Sequence, residues 1–88
     1  MKHAGDAALD ALEDLLRSIR ALDGLKEKKR GTFYRQSSAF LHFHEDPAGL
    51  FADVRDGEDW KRFPVNTAAE RRTFLRRVHS LARTTQSR

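Results

Sequence analysis

The stretch Phe40-Leu41-His42-Phe43-His44-Glu45-Asp46-Pro47-Ala48-Gly49-Leu50-Phe51-Ala52-Asp53-Val54-Arg55 decides the fold. It reads as two strands joined by a tight turn. Asp46 first, Pro47 second and Gly49 fourth are the residues such a turn prefers. Side chains alternate across a strand, so Ala39, Leu41 and Phe43 share one face, and Leu50, Ala52 and Val54 share another. Bringing both sets onto one core places Leu41 opposite Val54, Phe43 opposite Ala52 and Glu45 opposite Leu50. A one-residue bulge at the turn would instead flip the second strand.

Working outward, Thr32 to Glu45 is aromatic-rich and free of proline, which predicts one long strand, bent near Ser37-Ser38. On the other side, Asp56-Gly57 is a two-residue hairpin signal. It leads into a third strand over Asp59–Phe63, with Leu50 opposite Phe63 and Pro64 at an edge. Before this sheet, Leu9, Leu12, Leu16 and Ile19 recur at helical spacing, which predicts a helix from Asp6 to Leu22. Asp6 is the expected cap and Gly24 the expected positive-φ stop. Lys26 to Gly31 reads as a charged connection. After the sheet, Thr67-Ala68-Ala69-Glu70 fits a capping box opening a second helix that ends near Arg83. Thr84–Arg88 is expected to be a frayed tail. The expected class is α+β: a two-layer α-β-β-β-α domain over residues 1–83, with a three-stranded antiparallel meander and both helices on one face.

With 88 residues, 39% hydrophobic and 34% charged, the chain can bury only a thin core. It has no cysteine, which excludes disulfides, thiolate metal sites and cysteine nucleophiles. It contains no apolar run long enough to span a bilayer, and Met1 to Asp6 lacks a secretory signal, so a soluble cytoplasmic protein with no membrane partner is expected. The net charge of +4 is unevenly spread. Residues 1–24 and 39–60 are acidic. Residues 25–38 and 61–88 are basic, the last stretch setting eight cations against Glu70.

The sheet face opposite the core collects Tyr34, Phe40, His42, His44, Phe51, Asp53, Arg55, Trp60 and Arg62. The register sets His42 opposite Asp53 and Phe40 opposite Arg55, a potential cation–π pair. This face is the candidate ligand or partner surface. Self-association through it and burial beneath a helix are the competing readings. His42 and His44, with Asp53, could hold a metal ion. A His42–Asp53 pair would also raise the pKa of His42. No nucleophile elbow or phosphate-binding glycine loop accompanies it, so enzyme activity is not expected and no cofactor is implied. Lys28, Lys29, Arg30, Arg71, Arg72, Arg76 and Arg77 form basic clusters that could meet nucleic acid, with the aromatic face stacking bases.

The α-β-β-β-α order is similar to that of the double-stranded RNA-binding domain. The chain departs from it in an acidic first helix, a turn without histidine and a last helix opening without lysines, so no activity is carried over. Gly31-Thr32-Phe33-Tyr34, Phe40 to Asp46, Phe51 to Arg55 and Asn66 to Glu70 resemble a group of small uncharacterised bacterial proteins over residues 31–82. That resemblance implies a standalone bacterial domain and no particular chemistry. The function expected is a non-catalytic binding module using the aromatic-histidine face, as a monomer or a homodimer. The alternatives are a nucleic-acid binder and a metal- or His/Asp-dependent enzyme.

Overall fold

The structure, a computed structural model, describes residues 1–86, with side chains described as far as Arg83. The chain runs β1 (Lys2–His3), α1 (Asp6–Ala11), α2 (Glu13–Arg20), β2 (Leu25–Lys29), β3 (Thr32–Arg35), β4 (Ser38–Asp46), β5 (Gly49–Asp56), β6 (Asp59–Pro64) and α3 (Ala68–Gln86). The class is α+β. One antiparallel sheet has the order β2-β3-β4-β5-β6, and β1 pairs with β4 beyond the end of β3. The sheet therefore has six strands rather than the three expected.

The β4–β5 pairing matches the sequence reading residue for residue. Leu41 faces Val54, His42 faces Asp53, Phe43 faces Ala52, His44 faces Phe51 and Glu45 faces Leu50, with no bulge at the turn. Gly49 takes φ 135, a backbone position that side chains resist. Its neighbour Leu50 is held by Asn66, whose Oδ1 accepts the Leu50 N–H at 2.8 Å.

Five expectations are corrected. The connection Lys26–Gly31 is mostly strand: Leu25–Lys29 forms β2, an edge that pairs with β3. The carboxylate of Glu27 explains why so charged a segment is held. It accepts the Gly31 N–H at 2.9 Å and two nitrogens of Arg20, tying turn, strand and helix together. The anticipated bend at Ser37-Ser38 is a full reversal, in which Gln36 supplies the positive φ, 57°, that a tight turn needs. The first helix breaks at Leu12, which closes α1 and opens α2 with its side chain wholly buried. Gly5, not Asp6, occupies the cap position of α1. Finally, Phe63 faces Ala52 rather than Leu50, because the hairpin turns on Gly57-Glu58 and pairs Asp56 with Asp59. A two-residue shift preserves the face, so Phe63 still joins the core.

The core collects Leu9, Leu12, Leu15, Leu16 and Ile19 from α1 and α2, Phe33, Phe40, Leu41, Phe43, Ala52 and Val54 from the strands, Val65, and Phe74, Val78 and Ala82 from α3. Phe74 packs its ring against Phe43 and Phe63, with centroids 6.1 and 5.4 Å away. This fixes the side of the sheet on which α3 lies. The capping box forms as expected. Thr67 Oγ1 accepts the Glu70 N–H, and Glu70 Oε1 accepts those of Thr67 and Asn66. α3 extends to Gln86, past the expected end at Arg83, and residues 87–88 of the expected tail lie outside the described residues.

Candidate functional site

Strand alternation turns His42 and His44 of β4 away from Phe43 and hence away from α3. Their cross-strand partners on β5 are Asp53 and Phe51, and Asp53 is in turn paired with Arg62 of β6. Arg55 is paired with Trp60. Of the residues expected on this face, Trp60 and Arg62 are exposed, and Tyr34, His42, His44, Phe51 and Arg55 are half-buried. Asp53 is buried, at 5% exposure. Phe40, expected on this face, is instead 3% exposed and part of the core cluster, while Ala39, expected in the core, is half-buried opposite Tyr34. The register shift between β3 and β4, which skips Phe40, breaks the alternation there.

The pairings differ from expectation in two respects. Phe40 does not take Arg55. The Arg35 guanidinium lies over its ring at 5.5 Å, while Arg55 lies over Trp60 at 5.1 Å. And although His42 is directly opposite Asp53 along the backbone, the side chain that reaches the carboxylate is His44, with Nε2 3.1 Å from Oδ2. Arg62 takes the rest of Asp53 through Nε and Nη2, at 2.8 and 2.9 Å. A diagonal neighbour on a twisted sheet can be nearer than the one opposite.

These placements set the charges. Burial works to raise the Asp53 pKa, but the Arg62 hydrogen bonds and the nearby cationic groups outweigh it and hold the carboxyl below its ordinary value. His42 moves downward, not upward as a His42–Asp53 pair would require. Burial penalises its charged form first and neighbouring His44 second, and the pull of Asp53 is the smaller effect.

A third histidine arrives from a place the sequence left unmarked. β1 aligns His3 directly opposite His44. Its short backbone is secured by the Ala4 N–H on Phe43 O at 3.1 Å, by the Gly5 N–H on Glu45 Oε1 at 3.0 Å, and by Lys2 with Glu45. The imidazole of His3 lies 5.7 Å from that of His42 and 5.1 Å from that of His44, and the latter two are 4.7 Å apart, centroid to centroid. One ring nitrogen from each lies within 4.8 Å of the others. Asp53, expected with the histidines as a metal ligand, is not part of this group; its oxygens are engaged by Arg62 and His44. The Trp60 ring closes one side, 4.7 Å from His42.

The basic clusters are largely engaged within the chain. Arg30 bonds Asp10 and Glu13, and Arg71 bonds Val65 O and Ala11 O. Arg76 bonds Thr73, Arg77 bonds Asp56, and Lys28 sits over the Tyr34 ring at 4.5 Å. Lys29 and Arg72 are exposed. Glu13 and Asp10 of the acidic first helices are complemented by Arg20 and Arg30.

No protein-family model, curated protein or solved structure matches this chain. No helix among the described residues is long and apolar enough to cross a membrane.

Proposed function

We propose that the chain is a small, non-catalytic binding module of two layers, with its helices on the Phe43–Phe63 side of the sheet and its working surface on the other. The ligand is anionic, a carboxylate or phosphate group, taken against Arg55 and Trp60. One observation carries the reading. Trp60, 39% exposed, is the large apolar side chain left in solvent on this face, and the Arg55 guanidinium is stacked on it. Arg55 also lines a surface cavity of about 250 Å³ shared with Arg35, Gln36, Ser38 and Phe40. Two guanidinium groups at one cavity, with hydroxyl and amide donors alongside, suit an oxyanion. The acid on the same face, Asp53, already has Arg62 and His44 as partners, so it does not oppose such a ligand.

The test uses the single tryptophan as the reporter. Titrations with inorganic phosphate, with a poly-glutamate peptide and with a short oligonucleotide, each at low and physiological salt, should change Trp60 emission for at least one anion. Arg55→Ala should abolish the change, and Arg76→Ala should leave it. Binding equal in Arg55→Ala and in the parent protein would overturn the reading. So would binding of the oligonucleotide alone that is lost in Arg72→Ala, which would put the contact on α3. Sedimentation of the same samples decides self-association through the Trp60 face.

A further inference from the structure

The arrangement of His3, His42 and His44 goes beyond a polar surface. We propose that these three imidazoles form a binding site for a first-row transition metal ion of the zinc class. The inference deepens the reading of this face as a binding surface, by naming a ligand for its histidine end.

The first argument is spacing. An imidazole binds zinc at about 2.0–2.1 Å, so three rings sharing one tetrahedral ion place their centroids about 5 Å apart. The three observed separations, 4.7, 5.1 and 5.7 Å, bracket that figure. Rings that merely packed for contact would need no common focus. Here one nitrogen of each ring comes within 4.8 Å of the other two.

The second argument is unspent hydrogen-bonding capacity. The Nδ1 atoms of His42 and His44 are both buried and neither has a hydrogen-bond partner. A buried polar atom without a partner costs roughly 1–3 kcal/mol. Two such atoms in adjacent side chains, both within a three-histidine group, are accounted for together if they are ligand atoms.

The third argument is the support behind His44. A carboxylate oxygen accepts, so its contact with Asp53 places the proton of neutral His44 on Nε2. That leaves a lone pair on Nδ1. A carboxylate holding the far nitrogen of a ligating histidine, fixing both tautomer and ring orientation, is the common outer arrangement of histidine metal sites. Arg62 in turn fixes the carboxylate. Asp53 and Arg62 are therefore positioning residues, and the ligands are the three rings.

The donor set narrows the metal. Three neutral nitrogens with no thiolate and no ligating carboxylate suit zinc, copper, nickel or cobalt rather than calcium or magnesium. They leave the charge of a divalent ion unneutralised, so its fourth ligand would favour an anion. That agrees with the guanidinium-rich end of the same face.

The experiment is calorimetric titration of the tag-free protein with Zn²⁺, alongside Cu²⁺ quenching of Trp60, which lies beside His42. One ion per chain is expected, with quenching saturating at that ratio. His3→Ala should weaken affinity by about tenfold or more, and Asp53→Asn by about 10- to 100-fold. His3 is exposed, so its removal leaves the core intact, and circular dichroism of the variant confirms the fold. His79→Ala, an exposed histidine on α3, should change nothing. No binding, or equal binding in the parent and His3→Ala proteins, overturns the site. The anion titrations fail independently. Anion binding without metal binding would remove this inference and keep the surface, and the converse would do the reverse.

Discussion

Arg62 grips Asp53 through two nitrogens while the same carboxylate accepts from His44, so one buried acid joins β4, β5 and β6. The Asp53 side chain is 8% exposed and that of Arg62 is 50% exposed, so the two ends of the pair differ in what they lose on mutation. Arg62 can return to water. A carboxylate left behind cannot.

Asp53→Ala should therefore lower stability by about 1–3 kcal/mol, the cost of stranding the half-buried His44 nitrogen and losing charge-assisted bonds. Arg62→Ala should cost at least as much, because it leaves a buried carboxylate without its two-nitrogen partner. Urea denaturation of both variants decides the order; a smaller loss for Arg62→Ala would contradict it.

Gly49→Ala should destabilise by about 1–3 kcal/mol, because the position combines strain with a clash. A Cβ there would lie 2.7 Å from Asn66 Oδ1, the atom that accepts the Leu50 N–H. Asn66→Ala should cost less and should relieve part of the penalty in the double variant. A thermal-melt cycle over the four proteins measures the coupling, and simple additivity would refute the contact.

Phe74→Ala should cost about 3–5 kcal/mol. Its side chain is wholly buried and touches rings from two strands, so truncation opens a cavity between helix and sheet. In a domain this small, that loss is most of the available stability. Circular dichroism at 37 °C should show a largely unfolded variant, and a native spectrum with an unchanged melt would be inconsistent with this packing.

Acid should unfold the protein in a defined window. Hydrogen bonds from Arg30 and then Arg20 hold Glu13 down from an ordinary 4.5 to about 2. Backbone N–H groups of Asn66 and Thr67 hold Glu70 low, and Glu27 is low because Arg20 and Gly31 outweigh its burial. A carboxyl with a depressed folded-state pKa stabilises fully above its unfolded value and loses that contribution as pH falls through the folded one. Stability should thus hold down to about pH 4.5 from these groups and decline steadily below it. Glu13→Gln should flatten the decline. Denaturant midpoints measured from pH 6 to pH 2 test both statements.

What could be read in advance follows physical lines. The β4–β5 register was legible because alternation limits the two apolar triplets to alignments that share a face, and the tight turn with Glu45 opposite Leu50 selects one of them. The capping box was legible because Thr67 and Glu70 carry their own hydrogen-bond logic. β2 was not, since Lys26, Lys28 and Lys29 show no alternation and Glu27 is held by a distant Arg20. The β3–β4 turn was hidden because Gln36 adopts a conformation more common for glycine or asparagine. His3 was the largest omission. Two residues carry no period, and their place beside β4 is set by tertiary pairing alone.

The outermost strands of the sheet, β2 and β6, carry a further consequence. β2 is nearly all charge, Lys-Glu-Lys-Lys after Leu25, and β6 bears Lys61 and Arg62 and ends in Pro64, which has no N–H to offer. Charged side chains on both rims, and the missing N–H of Pro64, disfavour the addition of a further strand. Extension of the sheet strand by strand is thus disfavoured at β2 and at β6.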